Sequence, residues 1–121
     1  MANTCFTQLV AWQAAHRVDL EIYRLTRSFP NEERYGLAIQ MRRAAVSMPA
    51  NIAEGFGRRK AHDKARFYNI AEASAQELKY HLIMSRDLSY LKEFDPLWRS
   101  LEEVCRMLRR LTDLTVSARD S

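Results

Sequence analysis

The sequence predicts an all-α protein, an antiparallel up-down-up-down four-helix bundle, and three observations carry that expectation. Only three glycines and three prolines interrupt 121 residues. The interruptions cut the chain into four long segments whose apolar residues recur three and four positions apart. The joints between segments span about three to five residues, which makes neighbouring helices antiparallel. With 47% apolar residues, residues 1–121 read as one domain that buries roughly two-thirds of its unfolded surface.

The first helix is expected over about 7–28, ending at FPNEE, where Pro30 cannot continue it. At about 100° per residue, Val10, Ala14, Val18, Ile22, Leu25 and Phe29 form one apolar stripe. Leu9, Trp12, Leu20 and Tyr23, with His16, form a second stripe on nearly the opposite side. One stripe is enough for a bundle core. The second leaves an apolar patch, and Trp12, Leu20 and Tyr23 are therefore expected at an interface between copies of the chain.

The second helix is expected over about 31–57. Asn31 serves as cap, and Glu32 and Glu33 place negative charge in the first turn, where the helix dipole favours it. Gly55 and Gly57 loosen its end, and Pro49 removes one hydrogen bond and bends it, with nearby Ser or Asn side chains as donors for the freed carbonyl. The third helix covers about 61–91. Asp95 followed by Pro96 marks the start of the fourth, which runs to about residue 116. There Leu97, Leu101, Val104, Leu108 and Leu111 make a single seam, with Arg99, Arg106 and Arg110 opposite it.

Gly36, Gln40, Arg43, Ser47, Asn51, Glu54 and Arg58 share a sector of about 80° on the second helix, flanked by apolar residues on both sides. A stripe so narrow and so poor in Lys and Glu reads as a seam walled in by protein, and buried polar groups need partners. A turn near residue 60 makes facing positions sum to about 120. That pairs Arg43 with Glu77, Ser47 with Ser74 and Glu54 with Arg66. The expected network is Arg43, Ser47, Asn51, Glu54, Ser74 and Glu77, with ion pairs at Arg43–Glu77 and Glu54–Arg66.

Charge supplies the main functional cue. The net charge is +4, and RRKAHDKAR, residues 58–66, sets Arg58, Arg59, Lys60, Lys64 and Arg66 against one acid, Asp63. These five are the candidate nucleic-acid-binding residues. Repeated around an oligomer they become a multivalent cationic crown for phosphates, salt-sensitive and weakly sequence-selective. Arg17, Arg24 and Arg27, and Arg106, Arg109 and Arg110, widen the patch. The competing expectation is a structural or adaptor homo-oligomer that binds another protein and carries its charge incidentally.

Enzyme chemistry finds no support. GFGRR closes a helix and follows no strand, and the chain has neither a phosphate loop nor a nucleophile elbow. Di-iron bundles repeat Glu-x-x-His on two helices, whereas Glu77 and His81 are four apart and occur once. No metal or cofactor is expected. Cys5 and Cys105 lie at opposite ends and read as reduced thiols. No apolar run approaches the ~20 residues that span a bilayer, and MANTCFTQLVAW lacks the plan of a secretory leader. A cytoplasmic protein that avoids membranes is expected.

The runs LVAWQAA, FPNEERYGLAIQMRRAAVSMPANIAEGFGRR and FYNIAEASAQELKYHL resemble the four-helix-bundle proteins encoded in intervening sequences of bacterial 23S ribosomal RNA genes. That family includes the accessory variability proteins of diversity-generating retroelements. Phe29, Pro30, Glu33, Gly36, Leu37, Arg43, Ser47, Asn51, Ile52, Ala53, Glu54, Gly55 and Arg58 carry the match, with Ser74 and Glu77 on the third helix. Met48 stands where Ile or Val is more usual. The resemblance implies a ring-shaped homopentamer with a basic surface and no established enzymatic activity. For the retroelement branch it implies binding of RNA or DNA and of a reverse transcriptase.

Overall fold

A computed structural model describes residues 5–120. Residues 1–4, part of the segment read for a secretory leader, lie outside them. The chain folds as four helices, α1 (Val10–Thr26), α2 (Leu37–Gly57), α3 (Ala61–Asp87) and α4 (Phe94–Asp120). Single 3-10 turns lie at Phe6–Gln8 and Asn31–Glu33, and no strand occurs among the described residues. Each helix packs against its neighbours in sequence and α4 closes against α1, while among the described residues the backbones of diagonal pairs stay apart across the shared core. Contacts across the α2–α3 and α3–α4 seams run in opposite order along the two helices. Lys64 meets Gly55 while Ser85 meets Met41; Glu72 meets Arg109 while Arg86 meets Phe94. This is an antiparallel four-helix bundle.

The core follows the apolar periodicity. Leu97, Leu101, Val104 and Leu108 are buried along α4, and Ala14, Val18 and Ile22 along α1. Val10 is the exception at 61% exposed, because as the first residue of α1 it lies at the helix end. Between them, α2 and α3 contribute Met41, Met48, Ile52, Leu78 and Leu82, all fully buried. Burial of side chains of this size is worth about 1.5–3 kcal/mol each.

Gly55 is buried, which corrects the expectation that it loosens the end of α2. A Cβ there would lie 2.6 Å from Cε1 of Tyr68 and 3.1 Å from the Lys64 carbonyl oxygen. The missing side chain lets α3 approach closely. Gly57 has nothing within 4 Å and is free of that constraint.

Helix ends differ from the periodic reading where capping decides them. Asn31–Glu33 is a separate turn, and α2 starts at Leu37. One Glu33 carboxylate oxygen accepts the Leu37 N–H at 3.2 Å and the other accepts the Tyr90 hydroxyl at 3.0 Å. Glu33 therefore satisfies the start of α2 from outside the helix and ties it to the α3–α4 connection. The third helix stops at Asp87, short of residue 91. Ser89 adopts a left-handed conformation at φ 64°, its N–H bonds the Arg86 carbonyl at 3.0 Å and the Tyr90 N–H bonds that of Ser85 at 2.8 Å. This double closure is a Schellman motif. α4 begins at Phe94, two residues before Pro96. Pro96 still lies in the first turn, where its missing N–H would have had no partner.

Candidate functional site

The polar stripe of α2 is a small cluster at its centre and a solvent edge at its ends. The Ser47 and Ser74 hydroxyls share a hydrogen bond at 2.7 Å across the α2–α3 seam. Asn51 donates to the Ser47 hydroxyl at 2.9 Å and to the Ser47 carbonyl at 2.8 Å. Its amide serves the carbonyl of residue 47 and not the Ala45 carbonyl that Pro49 frees, for which it was expected, and α2 runs through the buried Pro49 unbroken.

Neither expected ion pair forms. Glu77 meets His81 at 3.0 Å and Glu54 meets Arg58 at 3.1 Å, each along its own helix. Arg43 is exposed and unpaired among the described residues, and Arg66 lies over the Phe67 ring. Two physical reasons account for this. The supposed apolar wall is itself open to solvent, with Tyr35 83% and Val46 41% exposed, so the stripe borders water and long side chains take the partner one turn away. The register also drifts. From the Ser47–Ser74 contact to the Met41–Ser85 contact, α2 steps back six residues while α3 advances eleven. Positions summing to a constant therefore cease to face each other away from the turn.

At the α2–α3 turn the five cations take different roles. Lys64 Nζ donates to the Phe56 carbonyl at 2.7 Å and to that of Gly55 at 3.4 Å, capping the end of α2 where the dipole favours a cation. Arg58 is held by Glu54, and its guanidinium lies 4.7 Å from the Phe67 ring centroid. Arg66 reaches the same ring at 4.6 Å. The side chains of Arg59 and Lys60 are exposed and make no hydrogen bond, ion pair or ring contact among the described residues. Within this turn the unpaired positive charge lies on these two, with Arg58 and Arg66 beside them.

The second stripe of α1 is partly consumed within the chain. Trp12 packs against the core, contacts Phe6 at 5.3 Å and stacks on His16 at 4.8 Å. Tyr23 is 36% exposed and lies under the Arg42 guanidinium, which also donates to Thr26 Oγ1 at 2.8 Å. Leu20 is the most open of the three at 56% exposed. Between them on the same helix, Asp19 Oδ1 is buried with no hydrogen-bond partner among the described residues. Desolvation pushes the Asp19 carboxyl above the usual carboxylate range, against a smaller opposing pull from His16.

The α3–α4 seam holds an arrangement that the periodicity did not single out. Arg86 lies 4.5 Å from the Phe94 ring, Phe94 stacks on Trp98 at 5.2 Å, and Lys79 lies 4.8 Å from Trp98. An open groove of about 630 Å³ continues from Lys79 along α4 past Arg106, Arg109 and Arg110. Arg109 is paired with Glu72 at 2.8 Å. The signal available was the spacing: Phe94 and Trp98 four apart on α4, and Lys79 and Arg86 seven apart on α3.

Cys5 is exposed and Cys105 buried, and both are free; burial pushes the Cys105 thiol up. Among the described residues, no three His, Cys, Asp or Glu side chains gather as metal ligands, and no helix is long and apolar enough to cross a membrane.

Comparison with known proteins places these features in a family. Residues 7–110 match the model of the 23S rRNA-intervening sequence protein. A crystal structure at 1.70 Å, of a protein of unknown function from the S23 ribosomal protein family of Bacteroides thetaiotaomicron VPI-5482, has a similar fold. It superposes with a TM-score of 0.79 at 21% sequence identity, over 86% of this chain and 96% of that one. No curated protein matches the chain.

Proposed function

The chain belongs to the 23S rRNA-intervening sequence protein family, and on that premise we propose that it is a non-enzymatic, self-associating bundle that binds the phosphate backbone of RNA or DNA in the cytoplasm. The observation that carries this reading is the α2–α3 turn. Arg59 and Lys60 stand exposed without partners among the described residues, between Arg58 and Arg66. Cations spent on internal pairs contribute little to counterion release; unpaired ones contribute fully. Lys64 has another role as the cap of α2.

Self-association is supported by Leu20 and Val46, exposed at 56% and 41%, and by the half-covered Tyr23 and Trp12. A homopentamer is the assembly that the resemblance implies, and a reverse transcriptase is the further partner that its retroelement branch implies. In a ring, the turn is repeated and weak phosphate contacts add as avidity. The same exposed apolar residues favour the alternative of an adaptor that binds another protein.

Binding of generic RNA and single-stranded DNA to wild type and to the Arg59→Gln, Lys60→Gln double variant separates the two. The nucleic-acid reading expects a clear loss of affinity in the variant, with light scattering reporting an unchanged oligomer. An adaptor expects no binding in either protein. A monomer in dilute solution would overturn self-association.

A further inference from the structure

We infer that the α3–α4 seam is a second binding site, one that takes single-stranded nucleic acid by stacking a base on Trp98 and tracking its phosphates along α4. The inference rests on the nucleic-acid reading above but uses a different set of residues. Arg86, Phe94, Trp98 and Lys79 form a continuous ladder of cation, ring, ring and cation, with successive separations of 4.5, 5.2 and 4.8 Å. Such a ladder, opening into a groove lined by Arg106 and Arg110, combines the two elements that single-strand sites use: a stacking surface and a row of backbone cations.

The competition on Trp98 decides whether a base enters. Trp98 is half-buried, and an ammonium over such a ring is worth roughly a two- to thirty-fold factor in an equilibrium constant. A base stacked on an aromatic side chain is worth roughly five- to a hundred-fold. A base that stacks at the upper end of its range displaces Lys79 from the ring, and the released ammonium is left beside the phosphate that arrives with it. Duplexes keep their bases in the stack and gain only the phosphate contribution. The groove also carries Glu102 and Asp113, which weaken a purely electrostatic site and leave stacking as the larger contribution.

Both tryptophans of the full chain, Trp12 and Trp98, can be labelled with fluorotryptophan. That gives two fluorine NMR resonances, which Trp98→Phe assigns. A short thymidine oligonucleotide is expected to shift the Trp98 resonance and leave that of Trp12 in place. Inorganic polyphosphate and a duplex are expected to bind without that shift. Trp98→Leu should weaken the oligonucleotide about ten-fold and leave polyphosphate unchanged, while Trp98→Phe restores most of the affinity. The inference is overturned if the oligonucleotide binds without moving the Trp98 resonance, or if polyphosphate or a polyglutamate peptide moves it equally. If neither oligonucleotide nor polyphosphate binds at all, the underlying nucleic-acid reading falls as well.

Discussion

Replacing Gly55 by alanine probes the contact that holds the α2–α3 turn in place. The new Cβ would meet Tyr68 Cε1 at 2.6 Å and Cδ1 at 2.9 Å, where carbon atoms prefer about 3.5–4.0 Å. Tyr68 is only 2% exposed, so its ring has no open space to swing into. The third neighbour, at 3.1 Å, is the backbone carbonyl of Lys64, which moves only if α3 moves. Two effects oppose each other. Alanine gains about 1 kcal/mol over glycine within a helix, and overpacking a closed site costs about 1–3 kcal/mol. Because one neighbour is a buried ring and another is backbone, the cost falls in the upper part of its range. The expected net loss is about 1–2 kcal/mol. Urea unfolding followed by circular dichroism measures it, with Gly57→Ala as control. Gly57 meets nothing within 4 Å, so its replacement should be neutral or stabilise by up to about 1 kcal/mol. Equal stabilities of Gly55→Ala and wild type would refute the close-approach account.

Three further perturbations test other parts of the structure. Ser89→Gly should stabilise by about 1 kcal/mol in thermal unfolding, since a left-handed residue at φ 64° is strained for serine and free for glycine; a loss would contradict the Schellman assignment. Ser47→Ala and Ser74→Ala should each cost about 1 kcal/mol, and the double variant less than the two costs combined, because the hydroxyls partner each other at 2.7 Å. Strict additivity would show the contact to be unimportant. Asp19→Asn should stabilise the bundle at neutral pH. The folded-state pKa of Asp19 is raised by burial. Wild type therefore loses stability as pH climbs from the ordinary carboxylate value through the raised one, and the loss persists above. The variant should lack that decline, whereas identical pH profiles would contradict it.

Much of the fold was legible because it depends on periodicity. The seam of Leu97, Leu101, Val104 and Leu108 is the buried seam of α4, and the Ser47–Ser74 meeting follows from a short turn between antiparallel helices. Helix ends were less legible. Glu33 acts on α2 through a turn and a tyrosine 57 residues away, and nothing in local spacing encodes that reach. At the candidate site, Arg59 and Lys60 were identifiable as cations, but Lys64 could not be separated from them by composition. Its ammonium caps α2 because the chain folds back over the Phe56 carbonyl. The ion pairs assigned to Arg43 and Glu54 failed because exposed charges take the nearest partner, and each carboxylate had one a single turn along its helix. The Phe94–Trp98 ladder needs two helices at once, and each contributes only ordinary helical spacing.

The salt dependence of RNA binding tests the central claim most directly, because the slope of log affinity against log salt counts the cations that release counterions. For single strands the slope is about −0.7 per neutralised phosphate. Wild type should show a steep negative slope, and the Arg59→Gln, Lys60→Gln variant a slope shallower by about 1.4 for each copy in contact with the strand. A flat dependence, or an identical slope in both proteins, would show that the free charge at the α2–α3 turn is incidental.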